Sequence, residues 1–373
     1  MKIKEFGVEI WMNAYETKCK YNLAETCVES ITIEQLLDFA GKKETILSEL
    51  LPMKMTYGAI EGSDRLRNVV ASLYDNQSPE NVIITHGAIG ANALVHETLV
   101  EPGDHVISVG PTYQQHYSIP ESYGADVSIL RLREENAFLP DLEELRGMVR
   151  KNTKLIALNN PNNPTGSLMD RAMLEQIVEV ARSVDAWLLC DEVYRGTDQV
   201  GNGYTVSIAD LYEKGISTAS MSKAYSLAGL RLGWIVGPVE LIHAVSIHRD
   251  YNTISVGMLD DHFACIALEN RDKILARNHA LTRTNLEILD AWVADEPKVS
   301  YVKPKSGTTA LLKIDADISS RDFCVRLLDA KGVMFTPGSA LDIEGYVRIG
   351  YANNTEVLKE GLEKVSEFLR ELR

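Results

Sequence analysis

A chain of 373 residues, 45% apolar and 24% charged, can fill one large and one smaller core and has the composition of an ordinary globular protein. Its 53 acidic side chains outnumber 38 basic ones for a net charge of -15, and no lysine or arginine run breaks the pattern, which argues against a nucleic-acid groove or an anionic membrane surface. No apolar run is long enough to span a bilayer, and the opening MKIKEFGVEIWMNAYE lacks a hydrophobic core with a small-residue cleavage site, so a cytoplasmic protein is expected.

Residues 3–15 read as a short amphipathic arm or helix with Val8, Trp11 and Met12 on one side, and residues 33–39 as a helix. A linker through Pro52, Gly58 and Gly62 then enters a helix at Ser63-Asp64, a capping pair ahead of Leu66, Val69 and Val70. From there to about residue 240 strands and helices alternate, the pattern of a mainly parallel sheet with crossover helices. Strands are predicted at 81–85, 105–109, 125–132, 154–159, 186–190 and 215–219, with helices after Gly87 and at 141–149 and 169–185. In open sheets of this kind ligands gather at the carboxyl ends of the strands, so the residues just past each run are the ones to read.

Past the first run stands Gly87-Ala88-Ile89 at a helix start, where free N–H groups and the dipole can hold a phosphate dianion. Past the second comes Pro111-Thr112-Tyr113, an aromatic placed either to stack on a planar ring or to cover the sheet edge. The loop NNPNNPTG follows the fourth; Asn160 and Asn163 each precede a proline, which favours extended backbone and leaves their amides free. After Trp187-Leu-Leu-Cys190 comes Asp191, an acid ending an apolar run that needs a partner, such as a protonated ring nitrogen, and Tyr194 stands three residues on.

The segment SMSKAYSLAGLRLGW, residues 220–234, sets Lys223 among small and hydroxylated residues with Arg231 eight positions later. Small neighbours leave room for a ring, Ser220, Ser222 and Arg231 can hold a phosphate, and the lysine can bond to a carbonyl. The remainder is predicted to be α+β: YVKPKSGTTALLKI, a helix near 322–331, the stretch TPGSALDIEGYVRIGYA and a closing helix over 355–372.

The five cysteines, Cys19, Cys27, Cys190, Cys265 and Cys324, are odd in number and lack Cys-x-x-Cys spacing, so reduced core or near-surface thiols are expected rather than a disulfide framework or zinc site. The eight histidines show no metal-ligand spacing, and no metal is expected.

Taken jointly, these stretches resemble the fold type I pyridoxal-phosphate enzymes, specifically the class I/II aminotransferases, over roughly residues 57–350. The resemblance implies an α/β fold: a mainly parallel seven-stranded sheet with helices on both faces, plus a smaller α+β domain. Domains are expected at 51–275 for cofactor binding and 276–373 for the small domain, with 1–50 an arm packed on the latter.

It further implies a Schiff base on Lys223, which would also shuttle the proton between Cα and the cofactor's C4′ carbon. Asp191 would pair with the pyridine nitrogen so that the ring acts as an electron sink. Asn163 and Tyr194 would bind the phenolic oxygen, and Tyr113 would stack on the ring. Gly87, Ala88, Ser220, Ser222 and Arg231 would hold the phosphate, with Tyr57 reaching in from a neighbouring subunit of a homodimer. Arg348 would fix the substrate's α-carboxylate through its guanidinium fork, beside Asn163. Such chemistry needs the lysine's pKa brought down to roughly 7–8.

The implied reaction is transfer of an amino group between an L-amino acid and a 2-oxo acid. Two alternatives stand beside it. One is a β-elimination lyase or cyclase of the same fold; the stretch 11–37 resembles the start of capreomycidine-forming synthases, which use this fold on an arginine derivative. The other is a non-catalytic cofactor-binding regulator, disfavoured because this acidic chain has no room for a basic DNA-binding domain in front. Where many members carry a glycine-rich substrate segment, this chain has YNLAETCVESITIEQLL. Glu25 and Thr26 are thereby candidates to lie near the substrate side chain, although a solvent-facing Glu25 is the simpler expectation.

Overall fold

Seven runs of β-branched and apolar residues form one sheet in the computed structural model, which describes residues 2–372. They are β1 (Val82–Thr85), β2 (His105–Gly110), β3 (Asp126–Arg131), β4 (Thr153–Asn159), β5 (Trp187–Asp191), β6 (Gly215–Ser220) and β7 (Gly233–Val236). Their spatial order is β1-β7-β6-β5-β4-β2-β3, and every pairing is parallel except those of β7, which is antiparallel to both neighbours. Strands buried on both faces read as near-continuous apolar runs, and β1, β2, β6 and β7 are buried along their whole length. Helices including Gly87–Leu99 on one side and Arg171–Ser183 on the other cover the faces.

The predicted helix at Ser63 is present as Asp64–Ala71, and Ser63 Oγ accepts the N–H of Leu66 at 3.1 Å as its cap. Sequence reading did not foresee β7, because LRLGW carries a glycine and an arginine where a strand signal should be. Gly233 is required there by close approach: a Cβ on it would lie 2.5 Å from the carbonyl carbon of Gly87 and 2.6 Å from the Ala88 nitrogen. Only a residue without a side chain lets this strand run against the start of the Gly87–Leu99 helix. Because β7 runs antiparallel, its amino end, not its carboxyl end, reaches the edge where the other strands finish.

A second, four-stranded antiparallel sheet is built from β8 (Val299–Tyr301), β9 (Thr309–Ile314), β10 (Thr336–Pro337) and β11 (Tyr346–Gly350), in the order β10-β11-β9-β8. Helices Ser320–Lys331 and Thr355–Glu371 pack on it around a core that contains Phe323, Leu327, Phe335, Leu358 and Phe368. The N-terminal residues join this core. Trp11, on helix Gly7–Tyr15, is fully buried and donates its indole N–H to Phe335 O at 2.8 Å, and Tyr21–Asn22 pairs with Val333–Met334.

The expected boundary at 275/276 falls inside one 25-residue helix, Arg271–Asp295. Ile274 and Leu275 of this helix pack on the first core and Leu286 and Leu289 on the second, so the chain passes between cores without a loop. No helix among the described residues is long and apolar enough to cross a membrane.

Candidate active site

The carboxyl ends of β1, β2, β4, β5 and β6 and the amino end of β7 converge on a cavity of about 330 Å³, closed on its other side by the N-terminal helix, residues 24–27 and Arg348. Among its lining residues are Ala88, Tyr113, Asn163, Asp191, Tyr194, Ser220, Ser222, Lys223, Arg231 and Arg348. Gly87 stands behind this wall, in a left-handed conformation with φ of 66°, placed so that a Cβ would lie 3.4 Å from Arg231 Nη2. The helix start and the guanidinium thus form one corner of positive potential beside the two serines. Tyr57 is not part of the cavity and is 77% exposed.

Asp191 ends β5 only 4% exposed, and its carboxylate is held from several directions. Asn92 donates its amide to Oδ2 at 2.8 Å and the N–H of Val193 reaches Oδ1 at 3.1 Å, while His116 Nε2 lies 3.4 Å from Oδ2. Asn92 is fixed in turn by the hydroxyl of Thr218, which donates to its Oδ1 at 2.6 Å. A carboxylate so positioned, with an open side toward the cavity, suits a cationic ring N–H. Glu192, one residue on, faces the other way and is satisfied by Ser207, Ser217 and the N–H of Ile208.

The NNPNNPTG loop is folded by its own amides: Asn159 Oδ1 accepts the N–H of Asn163 at 2.7 Å, and Asn160 bonds both ways with the Met169 backbone. The Asn160–Pro161 and Asn163–Pro164 peptide bonds are cis. Asn163 reaches the cavity, whereas Asn160 is spent on the loop. Tyr113 packs on Phe6, ring centroids 4.7 Å apart, and donates its hydroxyl to Glu9 at 2.9 Å.

Arg348, on β11, is 2% exposed and has no carboxylate partner. It donates to Asn163 Oδ1 at 3.3 Å, Ala24 O at 3.1 Å and Thr336 Oγ1 at 3.0 Å, while its Nε has no partner at all. Burial draws its pKa below the ordinary value, against the pull of Tyr194, Glu25 and Glu9. A buried guanidinium with no counter-charge is a receptor for an anion.

Lys223 Nζ donates to Thr26 Oγ1 at 2.6 Å and to Cys27 Sγ at 3.4 Å. The lowering expected from the sequence rests on cationic groups of the cofactor together with partial burial; the protein groups around the amine act the other way. Burial alone draws the amine down, but Cys27, Tyr194 and Glu25 outweigh it and the net direction is up. Burial pushes up the Cys27 thiol and the Tyr194 phenol themselves, so at neutral pH the negative charge facing the amine is Glu25. Burial also works against the Glu25 carboxylate, yet Lys223 and the N–H groups of Cys27 and Thr26 hold its pKa down.

One expectation therefore needs correcting: Glu25 is half-buried on the cavity wall rather than solvent-facing. Cys27 is a free, buried thiol on the same wall. Sequence reading also missed Asn92, Glu9 and Glu16. Asn92 was findable, since it lies four residues after Ala88 on the same helix and so on the same face. Glu9 and Glu16 gave no such signal, because only the tertiary fold brings the N-terminal helix over the sheet.

The residues present fit a phosphate-bearing pyridine aldehyde: an anion corner, an acid for a ring N–H, an amide and a phenol between them, and an amine at the wall. Among the described residues no group of three His, Cys, Asp or Glu is placed to hold a metal ion. The pattern of the family described as aminotransferase class I and II matches residues 40–365. The chain is 31% identical over 367 residues to a capreomycidine synthase of Streptomyces vinaceus, a match covering 97% of this chain and 93% of that one. It is 30% identical to an arginine–pyruvate transaminase of Pseudomonas aeruginosa, covering 88% and 86%. The crystal structure of a PLP-dependent aminotransferase from Streptococcus suis superposes with a TM-score of 0.97 at 45% identity, over 100% of this chain and 99% of that one.

Proposed function

The chain belongs to the class I and II aminotransferases, pyridoxal-phosphate enzymes, and from that premise we propose that it moves an amino group between an L-amino acid and a 2-oxo acid, with Lys223 as the covalent and proton-transferring residue. The observation that carries this reading is the meeting of Lys223, Asp191 and Arg348, drawn from three distant parts of the chain, on one cavity.

The cofactor supplies an aldehyde and an electron-withdrawing ring that together make a bound amino acid's Cα–H acidic. Asp191, oriented by Asn92, keeps a proton on the ring nitrogen. Asn163 and Tyr194 donate to the phenolic oxygen, and Tyr113 covers a ring face. Arg231, Ser220, Ser222 and the Gly87-Ala88 helix start grip the phosphate. Arg348 holds the α-carboxylate and so fixes which face of Cα is turned to Lys223, whose amine takes the proton there. Glu25 lies near enough to the free lysine to favour its charged form. Tyr57 contributes to the phosphate grip of a second copy, which makes the working unit a homodimer.

The test is a screen of single amino acids with an oxo acceptor, arginine with pyruvate first because a relative is named for that pair. Transfer predicts loss of the cofactor's visible absorbance with the amino acid alone, its return when the oxo acid is added, and one 2-oxo acid formed per amino group moved. Lys223→Ala should end turnover and the borohydride-fixed attachment of the cofactor, and a variant that keeps that attachment would refute the role of Lys223.

A second reading is favoured by the near-full-length match to a capreomycidine synthase: proton removal by Lys223 followed by loss of a β-substituent or ring closure. Pyruvate and ammonia from a cysteine-type substrate, or a cyclic product, released without any oxo acceptor would decide for it.

A further inference from the structure

We infer that Glu9, Glu16 and Glu25 form a subsite for a cationic side chain, guanidinium or ammonium, on the substrate amino acid; the inference rests on the reading of the cavity above and names its substrate class.

The argument is one of charge. Three cations line the cavity, Lys223, Arg231 and Arg348, and four carboxylates, Glu9, Glu16, Glu25 and Asp191. Once the cofactor is in place, Arg231 faces its phosphate, Asp191 its ring N–H, and Lys223 is engaged with it. An amino acid's α-carboxylate then takes Arg348. Arg231, Arg348 and Asp191 are thus matched, Lys223 is one charge against Glu25, and the glutamates still outnumber the cations left to face them.

None of the three is neutralised by a contact with a lysine or arginine, although Glu25 lies in the field of Lys223. Among the described residues they enter no ion pair, unlike surface carboxylates such as Glu121, Glu269, Glu144, Glu213 and Asp290. Glu25 spends Oε1 on the N–H groups of Thr26 at 2.7 Å and Cys27 at 2.8 Å, which fixes its direction and leaves Oε2 free. Glu9 is fixed by the Tyr113 hydroxyl, and the Glu16 carboxylate accepts no hydrogen bond among the described residues. Glu9 and Glu25 are half-buried and Glu16 is exposed, so the set runs outward toward the cavity mouth. Burial, then Glu25 and Glu9, push the Glu16 carboxyl up, a sign that the three share one field.

Arg348 supplies the independent observation that a ligand belongs here: it is 2% exposed, unpaired with any carboxylate, and has an Nε without partner. A ligand whose carboxylate satisfies it and whose other end is neutral or acidic would bury the glutamates against one another. A guanidinium offers five N–H donors in a rigid fork and an ammonium three, either of which can bridge two carboxylates.

The test uses holoenzyme and three carboxylates without an α-amine, titrated by calorimetry: 5-guanidinopentanoate, heptanoate and hexanedioate, with 6-aminohexanoate as the ammonium arm. The guanidino acid, the amino acid or both should bind about tenfold or more tightly than heptanoate, with hexanedioate weakest. The Glu16→Gln, Glu25→Gln double variant should bring the cationic acids to within about twofold of heptanoate, the ratio being the readout because Glu25 also faces Lys223. Should the double variant not fold, Glu16→Gln alone, which breaks no hydrogen bond, should lower the ratio several-fold. Heptanoate or hexanedioate binding as tightly as both cationic acids, or a ratio untouched by the substitutions, would overturn the subsite. Failure of the wider reading looks different: no cofactor absorbance change with any amino acid, whatever the calorimetric ratio.

Discussion

Replacing Arg348 with alanine separates recognition of the α-carboxylate from everything else the cavity does. The side chain is buried and makes no ion pair with a described carboxylate, so a bound substrate carboxylate would lose its cationic partner and be left in a dry site. Stranding one member of a buried, hydrogen-bonded charge pair costs about 2–5 kcal/mol. At about 1.4 kcal/mol per tenfold, kcat/KM for the best amino acid should fall by roughly 30-fold to several thousand-fold. The same guanidinium also donates to Asn163, Ala24 and Thr336, so part of any loss could come from a disturbed wall. A control isolates the two effects. An amine with the same side chain but no carboxylate should react with the bound cofactor equally slowly in wild type and variant, read as the rate of absorbance change. Equal loss for amino acid and decarboxylated amine would mean that Arg348 supports the wall only, and the reasoning would fail.

Asn92→Leu keeps the branched outline but removes the amide that reaches Asp191 at 2.8 Å, a hydrogen bond to a charged group worth about 1.5–3 kcal/mol. Cofactor affinity, measured by dialysis and fluorescence, should weaken by roughly 10- to 150-fold, and an unchanged affinity would show that Asp191 needs no such support. Asp198 has its pKa raised from 3.8 to about 6 by burial, only partly opposed by the hydroxyl of Ser306 at 2.7 Å. The folded state therefore binds this proton more tightly than the unfolded chain, so its contribution is full below about pH 4 and is lost as pH rises through about 6, at most about 3 kcal/mol. Asp198→Asn should be nearly neutral at pH 4 and stabilising at pH 7 in urea unfolding; a difference independent of pH would refute this. Tyr57→Phe should weaken cofactor binding several-fold, and sedimentation should find a dimer; a fully active monomer would remove Tyr57 from the site.

The fold was legible because each buried strand is an apolar run that stops abruptly at a residue with chemistry, as at Cys190-Asp191 and Ser220–Lys223. One rule about strand ends then gathers residues from five places. Three things escaped it. The strand at Gly233 has its glycine for the sake of Gly87, nearly 150 positions away, and no local pattern encodes a distant backbone. The passage between cores lies within a helix, so no proline or glycine marks it. The state of Lys223 depends on Glu25 and Cys27, about 200 residues upstream, whose spacing in the sequence says nothing of their approach in space.

The strand that carries Arg348 ends against the backbone of the loop that carries Glu25. A Cβ on Gly350 would sit 1.7 Å from the Glu25 carbonyl oxygen, and the Gly350 N–H meets Leu23 O at 2.7 Å, so β11 and the acidic loop touch main chain to main chain. Arg348 lies two residues earlier on that strand. The distance between the group that grasps one end of a molecule and the wall that meets the rest is therefore written in peptide geometry, with no side chain in between to yield. Lengthening or shortening either backbone segment would be needed to change that distance.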